Sequence, residues 1–111
     1  MIRLTSQTKV LLVVNPVDFR KQIDGLIAIC KRELRSDPRN GSYFVFINKS
    51  RTQIRILSYD GSGYWLCSKR ISKGKFDVWP QNGMNITAID AKKLMRIIKA
   101  SLYNSTPVAV A

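Results

Sequence analysis

The chain has no histidine, and its two cysteines, Cys30 and Cys67, stand far apart in separate apolar stretches. A zinc site of the usual Cys/His kind cannot be assembled from them, and both thiols read as core side chains. Nucleophilic triads lose their ordinary base with histidine, which leaves isolated Ser, Cys and Lys residues without partner spacing. Acids are scarce as well, seven against nineteen Lys plus Arg. Asp18 and Asp90 read as helix-capping residues and Asp60 as a turn residue, while Asp24, Glu33, Asp37 and Asp77 are scattered, so no converging carboxylate set for a metal-dependent nuclease is in view. The expectation is a protein that is not an enzyme, with no catalytic residue, no metal and no cofactor. Long apolar runs are missing too. The longest early one, Val10 to Val14, is far short of the roughly 20 residues that span a bilayer and follows no signal-peptide pattern. This reads as a cytoplasmic chain with no membrane partner, in which the sequons starting at Asn40, Asn48, Asn85 and Asn104 are products of chance.

What the chain does have is positive charge. The net charge is +12 over 111 residues, a density that repels itself in the folded state and attracts polyanions from a distance. The charge concentrates between Asn48 and Lys75, where seven Lys or Arg and three large aromatics run through strand-and-turn patterning with Asp60 as the only acid. With 45% hydrophobic residues the chain can fill one core without staples.

Val10 to Val14 is a β-branched run ended by Asn15-Pro16 and reads as a buried strand. The spacing then predicts a helix, with Asn15 as N-cap, Pro16 in the first turn and Asp18 near the positive end. Its apolar face would be Phe19, Ile23, Leu26, Ile27, Cys30 and Leu34, with Arg20, Lys21, Lys31, Arg32 and Arg35 outside that arc and Asp24 paired to Arg20. Pro38 and Gly41 break it. From Tyr43 the period becomes two: Tyr43–Asn48, Gln53–Tyr59, Tyr64–Ile71 and a short Phe76–Trp79 read as an antiparallel meander. A second helix follows a capping-box pattern at Thr87-Ala-Ile-Asp90, with Leu94, Ile97, Ile98 and Leu102 on one face and Lys92, Arg96 and Lys99 on the other. We expect a single α+β domain over residues 1–102, an antiparallel meander of four to five strands with two amphipathic helices, and a flexible tail over 103–111.

Alternate turns of a meander lie at the same end of the sheet. Lys49 and Arg51 of the first turn should therefore meet Lys73 and Lys75 of the third, with Arg55, Lys69 and Arg70 behind them and Asp60 at the opposite end. Pairing Asn48 with Gln53 and Asp60 with Gly63 sends Tyr43, Val45, Ile47, Ile54, Ile56, Trp65, Cys67 and Ile71 to one face. Phe44, Phe46, Arg55, Leu57, Tyr59, Tyr64, Leu66 and Arg70 go to the other. The first face is core. The second is either a base-stacking platform or a surface under a helix, and its apolar extent favours cover. Asp60-Gly-Ser-Gly63 joins two strands and lacks the helix entry and Lys of a phosphate loop, so it reads as a hairpin turn.

Two blocks of sequence carry a family resemblance. Val17-Asp-Phe-Arg-Lys-Gln-Ile-Asp-Gly-Leu26 is similar to a T-D-M-R-K-G-F-D-G-L segment. Phe44-Val-Phe, Ile54-Arg-Ile-Leu, Asp60-Gly-Ser-Gly-Tyr-Trp-Leu and Lys69-Arg70 to Trp79-Pro80 resemble the second block of the TnpB-type accessory proteins of insertion-sequence-sixty-six transposons, the second-open-reading-frame-like family. The resemblance covers most of residues 1–102. It departs from the pattern at Gln22, Thr52, Tyr59 and Ser72 and by one extra residue in Phe76–Pro80. It implies a small bacterial protein encoded beside a larger DDE transposase and needed for efficient transposition, with DNA or that transposase as partner. Arg20 and Lys21 of the first block then join the basic residues as candidate nucleic-acid contacts. The expected function is a non-catalytic, DNA-binding accessory factor of transposition that meets transposon ends or duplex DNA without sequence preference. A protein-interaction adaptor docking on the transposase, or an RNA- or single-strand-binding module, stay open as alternatives.

Overall fold

The computed structural model describes residues 5, 7–76, 79–81 and 83–105, with 100–105 as backbone only. Its elements are β1 (Val10–Val13), α1 (Ile23–Arg32), β2 (Tyr43–Ile47), β3 (Gln53–Tyr59), β4 (Tyr64–Arg70), β5 (Ile86–Ile89) and α2 (Ala91–Ser105). One five-stranded sheet holds all the strands in the order β4-β3-β2-β1-β5. The fold is α+β as expected, with a mixed sheet. β2, β3 and β4 form the antiparallel meander, β1 lies parallel to β2, and β5 runs antiparallel to β1.

The two hairpin registers follow from their turns. Asn48 N–H donates to Gln53 O and Asp60 N–H to Gly63 O, both at 3.1 Å, which sets Phe44 opposite Leu57 and Ile56 opposite Cys67. The faces divide as the alternation requires, and both are covered over β2 and β3, whereas on the edge strand β4 Trp65 and Cys67, expected in the core, are exposed and half-buried. Val45, Ile47, Ile54 and Ile56 pack with Val10, Leu12 and, from α2, Leu94 and Ile97. Phe44, Phe46 and Leu57 pack with Leu26, Ile29 and Cys30 of α1. Phe44 and Phe46 are fully buried, so the base-stacking reading of this face fails. Burial also pushes the Cys30 thiol up to about 12, an inert core position.

Three boundaries depart from the periodicity. The first helix begins at Ile23, eight residues after Asn15. Val17 is drawn into a parallel bridge with Asn48, its N–H donating to Ile47 O at 2.9 Å, and this holds the chain extended where a helix was expected. Arg20 pairs with Asp18, not Asp24. At the second helix, Ile86–Ile89 is a strand because β1 needs a ladder partner on its open side, and Asp90 is the cap, accepting Lys93 N–H at 2.7 Å. No strand forms at Phe76 or Trp79, and Asp77 and Val78 lie outside the described residues. Phe76 and Trp79 instead plug the end of the core beneath α2, and Trp79 Nε1–H is shared between Val13 O and Val14 O at 3.2 Å each. The expected tail from residue 103 begins inside α2, which continues to Ser105, and residues 106–111 lie outside the described part.

Candidate nucleic-acid interface

β1 and β2 are parallel, so their C-terminal ends, the loop from β1 to α1 and the β2–β3 turn share one end of the sheet. The chain returns there after β4. Ile71 N–H donates to Thr52 O at 3.0 Å and Phe76 N–H to Arg51 O at 2.7 Å, which ties the two basic turns together. Lys49, Lys73 and Lys75 are exposed along this rim, and Arg51 is half-buried between them.

Asn48 makes the first turn rigid. Its Oδ1 accepts the N–H groups of Thr52 (2.9 Å) and Gln53 (3.1 Å), and its Nδ2 donates to Thr52 Oγ1 (3.1 Å). Arg51 sits at φ +60°, a left-handed conformation that costs a branched or bulky residue strain and is held here by these bonds.

Asp18, Phe19, Arg20 and Lys21 cross the same end from the other side. The Asp18 carboxylate accepts Arg20 N–H at 2.9 Å and grips the Arg20 guanidinium, with Nη2 at 2.7 Å and Nε at 3.0 Å. These bonds, with the nearby Lys49 charge, hold Asp18 well below the usual carboxylate range, and the Asp18 carboxylate raises Arg20 in turn. The Arg20 side chain nevertheless stays 92% exposed. Arg55 fastens this loop to the sheet. Its Nη1 donates to Phe19 O (3.0 Å) and Lys21 O (2.9 Å), and its guanidinium lies 4.5 Å from the centre of the Phe19 ring.

Between loop and turn lies a shallow cleft of about 430 Å³ whose lining includes Asp18, Arg20, Asn48, Lys49 and Arg55. The N-terminus of α1 opens at this end with Gln22 as N-cap, making no side-chain cap bond. The residues expected to bind thus fall into two groups. Arg20, Lys21, Lys49, Lys73, Lys75 and Arg70 present exposed charge, with Arg51 half-buried among them, whereas Arg55 is engaged with the loop and Lys69 donates its Nζ to Ile98 O of α2 at 3.0 Å, burial lowering its pKa. Asn48 and Ser50 in the cleft escape a reading that follows charge alone. The signal for Asn48 was its place before a polar turn, where Asn bonds the backbone ahead of it.

At the opposite end, Asp60 Oδ1 accepts the N–H groups of Ser62 (2.9 Å) and Gly63 (3.0 Å), and Oδ2 accepts Trp65 Nε1–H (2.8 Å). Gly61 stands at φ +100°. The segment is the hairpin turn that its sequence indicated, and it lies at the opposite end of the sheet from the clustered bases.

Two curated proteins of Sinorhizobium fredii are similar to this chain. The uncharacterized protein y4jC is 37% identical over 76 residues, covering 68% of this chain and 65% of its own length, so the chain spans less than two thirds of that relative. The uncharacterized protein y4hO is 26% identical over 98 residues, covering 88% of this chain and 84% of its own. No solved structure matches the chain. Residues 8–105 match the family described as IS66 Orf2 like protein, a span that contains both the Asp18–Lys21 loop and the two basic turns. The chain belongs to this family of transposition-associated accessory proteins.

Proposed function

We propose that this protein is a non-catalytic accessory factor of transposition that binds DNA through the basic end of its sheet. The observation that carries the reading is the hydrogen-bonded union of the Lys49–Arg51 turn with the Lys73–Lys75 segment, beside the Arg20–Lys21 loop. Three separate stretches of chain place exposed cations on one rim, which suits a row of backbone phosphates better than a point ligand. Arg55 and Lys69 serve by positioning the loop and α2, and Arg70 adds charge at the adjoining sheet edge.

Titrating the protein with transposon-end and random duplexes at several salt concentrations tests this. Five to eight neutralised phosphates give a slope of log K against log salt of about −4.5 to −7. Discrimination between the duplexes should be modest, since neither helix is presented as a recognition helix: α1 and α2 each pack a face on the sheet. A flat salt response, or no binding at low salt, would instead assign the rim to an acidic surface of the transposase.

A further inference from the structure

β4 is an edge strand, and no described strand lies beyond it. The Asp60–Gly63 and Thr52–Ile71 backbone bonds at the two ends of the β3–β4 ladder fix its phase. Ser58–Trp65, Ile56–Cys67 and Ile54–Lys69 are the hydrogen-bonded pairs, so Tyr64, Leu66, Ser68 and Arg70 direct their N–H and C=O groups away from the sheet. This outward row spans all seven residues of β4, with no proline or glycine in it. Trp65, on one side of the strand, is 46% exposed.

We propose that β4 is the dimerisation edge of this protein and that its occupant is β4 of a second copy, paired antiparallel about a two-fold axis at Cys67. The residue pattern supports that occupant. With the axis at Cys67, Tyr64 meets the partner's Arg70 on one face, a cation opposite an aromatic at both ends of the joint, and on the other face Trp65 lies against the aliphatic stem of the partner's Lys69, whose Nζ stays on Ile98 O of α2. Leu66 and Ser68 face each other as hydrogen-bonded pairs, and about eight main-chain bonds form between the strands. An axis at Leu66 leaves Lys69 and Arg70 overhanging, and one at Ser68 leaves Tyr64 and Trp65 unmatched. The two-fold pairing also closes, since it uses β4 twice and joins two five-stranded sheets without exposing a further β4 edge. Both copies carry +12, so their repulsion opposes the joint and salt strengthens it, the reverse of the salt effect on DNA binding.

Sedimentation equilibrium of the full chain across the micromolar range, at low and high salt, reads this directly. The expected mass rises from one chain to two and stops, with tighter association at high salt. Ser68→Pro removes an outward N–H without touching the β3 ladder and should weaken association at least tenfold. Tyr64→Arg sets two arginines opposite each other and should weaken it similarly, while Tyr64→Arg with Arg70→Tyr restores it. That pair keeps the test decisive if the proline variant fails to fold, with circular dichroism reporting folding. A single-chain mass throughout, growth beyond two copies, or association indifferent to both the proline and the swap would overturn the proposal.

Discussion

The Arg55 guanidinium meets two carbonyls and one aromatic ring, which ties the Asp18–Lys21 loop to the sheet. Hydrogen bonds from a charged group are worth about 1.5–3 kcal/mol, so Arg55→Met should lower stability by roughly that amount. Amide exchange should speed up at residues 18–21 and leave β2 protected, and unchanged loop exchange would contradict this role. Asp18 acts in the same loop through charge. Its folded pKa lies below its ordinary value of 3.8, so the Asp18–Arg20 pair stabilises the loop fully above that value and loses its contribution as pH falls through the folded value. An NMR titration should find the Asp18 carboxyl still ionised where an ordinary aspartate is half protonated. A midpoint at the ordinary value would show the pair to be broken in solution.

At the scale of elements, the basic rim depends on two turns held by each other's backbone. Neutralising two cations from each, Lys49 with Arg51 and Lys73 with Lys75, should weaken duplex binding far more than neutralising Lys92, Arg96 and Lys99. The last three occupy the exposed side of α2, a solvated helix face. Each lost phosphate contact should reduce the salt slope by about one unit. The reverse ranking would move the interface to α2. This rim was legible in the sequence because a meander obliges alternate turns to share an end. The β5 strand was not, since Thr87-Ala-Ile-Asp90 satisfies a helix-start pattern and a short strand alike, and only the open edge of β1 decides between them. Likewise Phe76 and Trp79 carry strand-like apolar spacing, yet burial at the mouth of the core serves these large rings better than pairing with β4.

For the molecule as a whole, +12 over 111 residues is a repulsion that folding must overcome. Raising the ionic strength should therefore increase thermal stability, by on the order of 1 kcal/mol or about 4–8 °C for a domain near this size. A melting temperature that falls on adding a neutral salt would mean that native ion pairs outweigh the repulsion. Added duplex DNA should stabilise the protein at low salt and lose that effect as salt rises, since a ligand that binds only the folded state adds its binding free energy to stability.

By itself the sequence determined whatever depends on local period and local turns. The registers set at Asn48 and Asp60, the division of residues between the two faces, the apolar stripes of α1 and α2 and the common end of the two basic turns all follow from spacing along a short stretch of chain. Tertiary structure decided what depends on partners distant in sequence. The parallel placement of β1 beside β2 exists only because α1 crosses between them, and it brings the Asp18–Lys21 loop against the Lys49 turn. The same contacts take Arg55 and Lys69 out of the free charge, because a cation can bind a carbonyl 34 or 29 residues away only after the fold has brought it near. Charge is a property of the residue, but its availability belongs to the packed structure, where backbone acceptors compete with any external phosphate.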